Sequence, residues 1–303
     1  MNNNEVKKLA EEAIPLLRKM FGKGLDFEVA EYHRSNEAVP GIAIKLPGCS
    51  NPPIICMENL PDDATAEEIA NIVASGFQTA LRNFSEFPVL PQMTRENILE
   101  NVVLQTLSYK RNRQLLKVHP HIRFLDLAGI FRIPLGQYKR NSLNTMLITN
   151  QIMDNLGLTV DELAEAASRN TVAKFGIEFV SARQMACSDL IKRPWKPETF
   201  EVVSMTERCL YVLTNSIHLN GAALMLIPDI LEKIGDKSGV DYFILPSSIH
   251  EVLIAKDDGQ VTLKMLKELI HEGNRTEGIV RKEDILSDNV YRYSRKTREL
   301  TVA

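Results

Sequence analysis

The chain is poor in the features that most quickly betray a function. It has no glycine-rich phosphate loop, neither G-x-G-x-x-G nor G-x-x-x-x-G-K-[ST], so nucleotide-dependent chemistry is disfavoured and no cofactor is expected. Its four cysteines, Cys49, Cys56, Cys187 and Cys209, form no CxxC pair and read as core fillers, not as a zinc site or a disulfide framework. Aromatics are sparse, at 6%, with a single tryptophan, Trp195. No apolar run approaches the roughly 18 to 20 residues that cross a bilayer, and the opening Met1-Asn2-Asn3-Asn4 leads into an amphipathic segment, so the expectation is a soluble protein kept in the cytoplasm.

What is present is ordinary globular composition with an uneven distribution of charge. Over 303 residues the net charge is −3, which argues against a general nucleic-acid binder. Residues 1–100 nevertheless carry 9 basic against 15 acidic side chains, residues 101–153 carry 8 against 1, and residues 154–303 carry 19 against 23. An acidic first third thus precedes a basic middle in which Asp126 is the lone acid.

Periodicity gives the architecture. Val6, Leu9, Ala13, Leu16, Leu17 and Met20 recur at helical intervals, and Gly22 and Gly24 end that helix. Phe27–Ala30, Gly41–Leu46 and Ile54–Met57 read as strands, and Thr65 with Glu68 forms a capping box for a second helix. Phe87-Pro88-Val89-Leu90-Pro91 cannot continue a helix, which sets a domain boundary and predicts a small α+β domain over 1–90 and a larger one over 91–303. In the larger domain Thr94 caps a third helix through Ile98, Leu99, Val102, Val103 and Leu107, running into Tyr109-Lys110-Arg111-Asn112-Arg113.

Phe124–Ile133 reads as one buried strand, Thr145–Thr149 as another, and Thr159 with Glu162 as a second capping box. Lys174–Pro197 reads as loop-rich. Leu210–Leu213 and Ala222–Ile227 read as partner strands across an Asn220-Gly221 turn, followed by a short helix from Pro228. Tyr242–Leu245 and Val252–Ala255 flank a Pro-Ser-Ser corner, a helix carries Leu263, Leu266, Leu269 and Ile270, and Val290–Ser294 with Glu299–Val302 forms a terminal hairpin. The expected class is α+β, the larger domain having a mixed, largely antiparallel sheet with flanking helices.

Three groups of residues invite chemistry. Ser247, Ser248, His250 and Glu251 sit together after Pro246, and strand alternation would bring Ser248 and His250 to one face. A hydrolase would use Ser248 as nucleophile, His250 as base and Glu251 or Asp126 as the orienting acid. The competing reading explains the same residues as a turn: proline presets the backbone angle and the hydroxyls satisfy turn amides. No glycines present the serine as in G-x-S-x-G, so the turn is preferred. His119 and His121 lack a third ligand at a recognisable spacing, and no metal site is expected.

The third group is the basic middle, where Lys110, Arg111, Arg113, Lys117 and Arg123 could track phosphates with Tyr109 available for stacking. Tyr291, Arg292, Tyr293, Arg295, Lys296 and Arg298 repeat that interleaving, which is also the pattern of a half-buried strand. Docking on the acidic first domain or a protein partner is preferred over nucleic acid.

Tyr211–Asn215, Gly221-Ala222-Ala223, Ile227-Pro228, Ile244–Val252 and Leu286–Tyr291, together with Pro120-His121, Phe124 and Asp126-Leu127-Ala128, resemble the recurring blocks of an uncharacterised bacterial family, domain of unknown function 5688. The resemblance carries over no activity. It implies a soluble bacterial protein and nominates Asp126, Ser247, Ser248, His250 and Glu251, the polar positions within matching blocks, while the basic residues of 110–117 fall outside them. The function expected is therefore that of a non-catalytic binding or regulatory protein, with a hydrolase and a nucleic-acid binder as the alternatives.

Overall fold

A computed structural model describes residues 1–34, 37–45, 53–58, 60–82, 92–135, 143–190, 205 and 210–303. The chain divides into two compact units, Met1–Pro88 and Val89–Ala303. The expected boundary at Phe87–Pro91 lies outside the described residues, as do Trp195, Cys49 and Cys209. Among the described residues no helix is long and apolar enough to cross a membrane.

The first unit runs α1 (Asn3–Phe21), β1 (Asp26–Arg34), β2 (Glu37–Lys45), β3 (Ile54–Cys56) and α2 (Ala66–Arg82). Asn2 and Glu5 close a capping box at the start of α1, and Gly22, at φ 70°, ends it with its amide on the Arg18 carbonyl. The strands form an antiparallel sheet in the order β1-β2-β3. Val6, Ala10, Ala13 and Leu17 of α1 and Ile69, Val73 and Phe77 of α2 pack with Phe27, Ile42 and Ile44 into one core. The Thr65–Glu68 box is present, with both backbone amides satisfied.

The second unit opens with α3 (Arg95–Asn101), β4 (Val103–Ser108), α4 (Arg113–Val118), β5 (His121–Phe124), β6 (Leu127–Pro134), β7 (Thr145–Leu147), α5 (Asn150–Asn155) and α6 (Val160–Phe175). It continues through β8 (Glu178–Ser181), α7 (Ala182–Leu190), β9 (Tyr211–Thr214), a 3-10 turn (Gly221–Leu226), α8 (Pro228–Ser238), β10 (Tyr242–Leu245) and β11 (Val252–Lys256). It closes with α9 (Leu263–Gly273), β12 (Tyr291–Ser294) and β13 (Glu299–Val302). A six-stranded sheet has the order β13-β12-β10-β11-β9-β8, and a second sheet places β4 and β5 beside β6, with β7 also on β6. Every strand pairing among the described residues is antiparallel, so the α+β class holds without the mixed sheet.

β10 shows why its sequence is continuously apolar. Tyr242 and Ile244 enter the main core, whereas Phe243 and Leu245 join Leu266 and Ile270 of α9 on the opposite face. A strand covered on both sides needs no polar face.

Four expectations are corrected. The third helix stops at Asn101 and Val103–Ser108 is a strand. Its turning point is held by α6: Asn170 Nδ2 donates to the Leu99 and Val102 carbonyls, and the Leu104 amide donates to Thr171 Oγ1. These bonds satisfy groups that a continuing helix would have satisfied itself. A fully buried strand and a helix both present a short apolar run, and the packing against α6 decides between them.

The single strand over Phe124–Ile133 is instead the hairpin β5–β6, pairing Phe124 with Leu127 across Leu125-Asp126. Leu125 takes φ 55°, a conformation a branched side chain seldom advertises. Ala222–Ile227 is mostly 3-10 turn, not strand. A β-carbon on Gly221 would stand 2.5 Å from the His250 carbonyl oxygen and 2.4 Å from Thr214 Oγ1, so the chain passes too close to β9 and the corner to lie beside them as a strand. Lys174–Leu190 contains β8 and α7, and only its continuation lies outside the described residues.

Candidate functional site

Two polar regions of the second unit use the residues singled out above. The first is a cavity of about 1180 Å3 built from four stretches of chain. The turn after β4 supplies Ser108, Lys110 and Arg111, and is tied down by buried Asn112, whose Nδ2 donates to the Ser108 carbonyl at 2.7 Å. The β5–β6 turn supplies Asp126, whose carbonyl accepts the Tyr109 amide at 3.0 Å. The end of α9 supplies Asn274 and Arg275, and the segment that follows supplies Arg281, Lys282 and Leu286–Asn289.

Asp126 is fixed by two hydroxyls. Ser287 Oγ donates to its Oδ2 at 2.6 Å and Tyr291 OH donates to its Oδ1. Burial, reinforced by that carboxylate, pushes the Tyr291 hydroxyl far above its ordinary range, so it remains a donor. Asp288 grips Arg275 through two parallel bonds of 3.2 and 3.0 Å, and this hydrogen bonding holds its carboxyl below the usual range.

Lys110 and Lys282 have no acidic partner among the described residues, and Arg111 reaches the Ile285 carbonyl, at 3.3 Å, in place of an acid. Of the other basic residues in the middle segment, Arg123 lies over the Tyr109 ring, 4.4 Å from its centroid. Arg113 and Lys117 are exposed on α4. Two basic residues near the carboxy terminus are paired within the unit, Arg292 with Asp241 and Asp257, and Arg298 with Glu232.

The second region is the corner between β10 and β11. Pro246–Ile249 pairs with Asp284–Ser287: the Ile249 amide donates to the Asp284 carbonyl, the Leu286 amide to that of Ser247, and the Ser287 amide to that of Pro246. Ser248 is buried, its Oγ accepting the His250 amide at 3.0 Å. His250 Nδ1 accepts the Asn220 amide at 3.3 Å, which places the ring proton on Nε2, 3.5 Å from Asp284 Oδ2. Arg281 Nε donates to that same oxygen at 2.8 Å.

Burial works against the charge of Asp284, but the hydrogen bonds from His250 and Arg281, with the guanidinium charge, prevail and hold its carboxyl below the usual range. Glu251 is displaced the other way, pushed up by burial despite His250 and Ser248.

Ser248, His250 and Glu251 are therefore brought together, and Asp126 is not with them. Asp284 is the acid that faces the imidazole, and both ring nitrogens are engaged by groups other than Ser248. Sequence reasoning did not single out Asp284, Asn274 or Lys282, placed Ser287 only within a resembling block, and read Tyr291 as part of an interleaved basic run and not as a partner of Asp126. The available signal was the polar Ser287-Asp288-Asn289 inside an otherwise apolar block. His119 and His121 turn their Nδ1 atoms to the carbonyls of Ile148 and His119, and no cluster of three metal-binding side chains occurs among the described residues.

Fold and geometry together define an antiparallel α+β protein whose larger unit carries a cation-rich cavity beside a saturated hairpin corner. The chain belongs to the family of unknown function DUF5688, whose sequence profile matches residues 6–295. No curated protein and no solved structure matched it.

Proposed function

We propose that this protein is a non-catalytic binding protein whose larger unit takes an anionic small molecule in the 1180 Å3 cavity. One observation carries the reading: Lys110, Arg111 and Lys282 line the cavity without an ion pair among the described residues, and its wall holds five cationic side chains against the three acids Asp126, Glu277 and Asp288. Cations gathered from separate chain segments around a concavity attract an anion more strongly than the same charges scattered on a convex face. The split of the basic segment favours a small ligand over a nucleic acid, since Arg123 is engaged by Tyr109. Action in the cytoplasm belongs to the same proposal, and four cysteines without the spacing of a disulfide framework suit a reducing compartment.

The test is titration of inorganic pyrophosphate into the full chain by calorimetry. Binding should weaken as salt rises, fall by about tenfold or more in the double variant Lys110→Gln/Arg111→Gln, and persist in Arg113→Gln/Lys117→Gln. Equal binding by both double variants would remove the cavity from the explanation. A hydrolase built on Ser248 is disfavoured because His250 offers that hydroxyl no ring nitrogen. A serine-directed covalent probe should accordingly leave Ser248 unlabelled.

A further inference from the structure

Going beyond the anion reading, we infer that His250 is a proton-operated latch between the loop after β9 and the segment that leads into the cavity wall. The neutral ring holds both sides at once. Its Nδ1 accepts the Asn220 amide at 3.3 Å, and its Nε2 faces Asp284 Oδ2 at 3.5 Å. A backbone amide only donates, so the first bond exists only while Nδ1 carries no proton. A proton on Nδ1 sets N–H against N–H, and the Asn220 amide must leave. The same proton charges the ring and draws it to the Asp284 carboxylate, since a charge-assisted bond closes to about 2.7–2.9 Å. One protonation thus breaks the link to the loop and tightens the link to the segment.

Each side carries structure with it. Asn220 holds a left-handed conformation, φ 55°, and opens the buried 3-10 turn Gly221–Leu226. The chain just before it is fixed by Asn215, whose Nδ2 donates to the Leu219 carbonyl at 2.7 Å. Across the ring, Asp284 runs directly into Ile285, Leu286 and Ser287 of the cavity wall. The His250 backbone is pinned, its carbonyl accepting Thr214 Oγ1 at 2.8 Å and its amide donating to Ser248 Oγ, so it is the ring that moves. Asp284 and the neighbouring Glu251 favour the proton electrostatically. Arg281 opposes it, donating to the same Asp284 oxygen at 2.8 Å and standing 3.6 Å from Glu283. His218 lies in the same loop as Asn220, but its Nε2 is 3.1 Å from Glu178, so a proton there strengthens a contact and breaks none.

Proton–nitrogen correlation NMR of the full chain between about pH 8 and 5, where imidazoles ordinarily titrate, tests this. The Asn220 amide should titrate together with the His250 ring. Its protection against hydrogen exchange, corrected for the intrinsic effect of pH, should fall about fivefold or more once the ring is charged. The Ile285 and Ser287 amides should shift with the same midpoint. His250→Asn, which offers an amide oxygen in place of Nδ1, should keep Asn220 protected with no response to pH, and His218→Gln should leave the response intact. The latch is overturned if Asn220 keeps its protection while the ring charges, if Ile285 and Ser287 do not follow, or if the ring stays neutral down to about pH 5. The titration of the native chain decides this whether or not either variant folds, and with no ligand present it is independent of the anion reading.

Discussion

The cavity and the hairpin corner share Ile285–Ser287 but treat charge in opposite ways. At the corner the polar groups are tied to one another: Ser248 has the His250 amide, the imidazole has Asn220 and Asp284, and Asp284 has Arg281. In the cavity, Lys110 and Lys282 make no ion pair among the described residues. Saturated polar networks hold a fold in one arrangement, while uncommitted groups around a concavity are what recognition of another molecule requires. The residues most suggestive of catalysis by type thus lie in the region that holds the fold together.

Substitutions in the two regions should separate these roles. The largest effect is expected for Gly221→Val, whose β-carbon would collide with backbone at the corner. Chemical denaturation should show a loss of about 3 kcal/mol or more, and a loss below about 1 kcal/mol would mean the corner yields easily. Asp284→Ala comes next, at about 2 kcal/mol, because it strips a buried acceptor from His250 while exposed Arg281 can turn to water. The sign with pH follows from its lowered pKa. The stability Asp284 contributes is complete above its ordinary value of 3.8 and fades as pH falls through the lower folded value, so Asp284→Asn should flatten the acid limb of the stability profile.

Tyr291→Phe should cost about 1 kcal/mol by removing one of two hydroxyls from Asp126, measured by the denaturation midpoint. Glu251→Gln should act in the opposite sense to Asp284→Asn. A carboxyl whose pKa is raised by burial favours the fold below its ordinary value of 4.5, and that favour is lost as pH climbs through the raised one. The amide should therefore stabilise the protein at neutral pH relative to acid, and destabilisation at neutral pH would show that Glu251 is held by its partners more than it is penalised by burial. Smallest of all, Lys110→Gln and Lys282→Gln should change stability by no more than about 0.5 kcal/mol, as expected of cations kept for a ligand and not for the fold.

How much of this was legible depends on whether the deciding interaction was local. α1 could be read from its apolar stripe and the glycines that end it, and α2 and α6 from their caps, Thr65 and Thr159, because those signals lie within or beside each helix. β10, β11 and the terminal hairpin could be read from short apolar or alternating runs between turn residues. β4 could not, because its amide and the neighbouring carbonyls are claimed by Asn170 and Thr171, some seventy positions away. The β5–β6 turn carries no glycine or Asn-Gly signal, only Leu125 in a left-handed conformation. The surplus of positive charge in the middle segment was visible, but the cavity was not, since its wall draws on residues from Ser108 to Asn289.

The Asp284–Ser287 segment works like the bitting of a key. Ladder bonds to Pro246–Ile249 set its depth, and only at that setting do Asp284 face His250 and Ser287 face Asp126. A slip of one position would exchange Ser287 for Leu286 or Asp288, putting a greasy chain or a second negative charge against Asp126 and unmaking both neighbourhoods in a single movement.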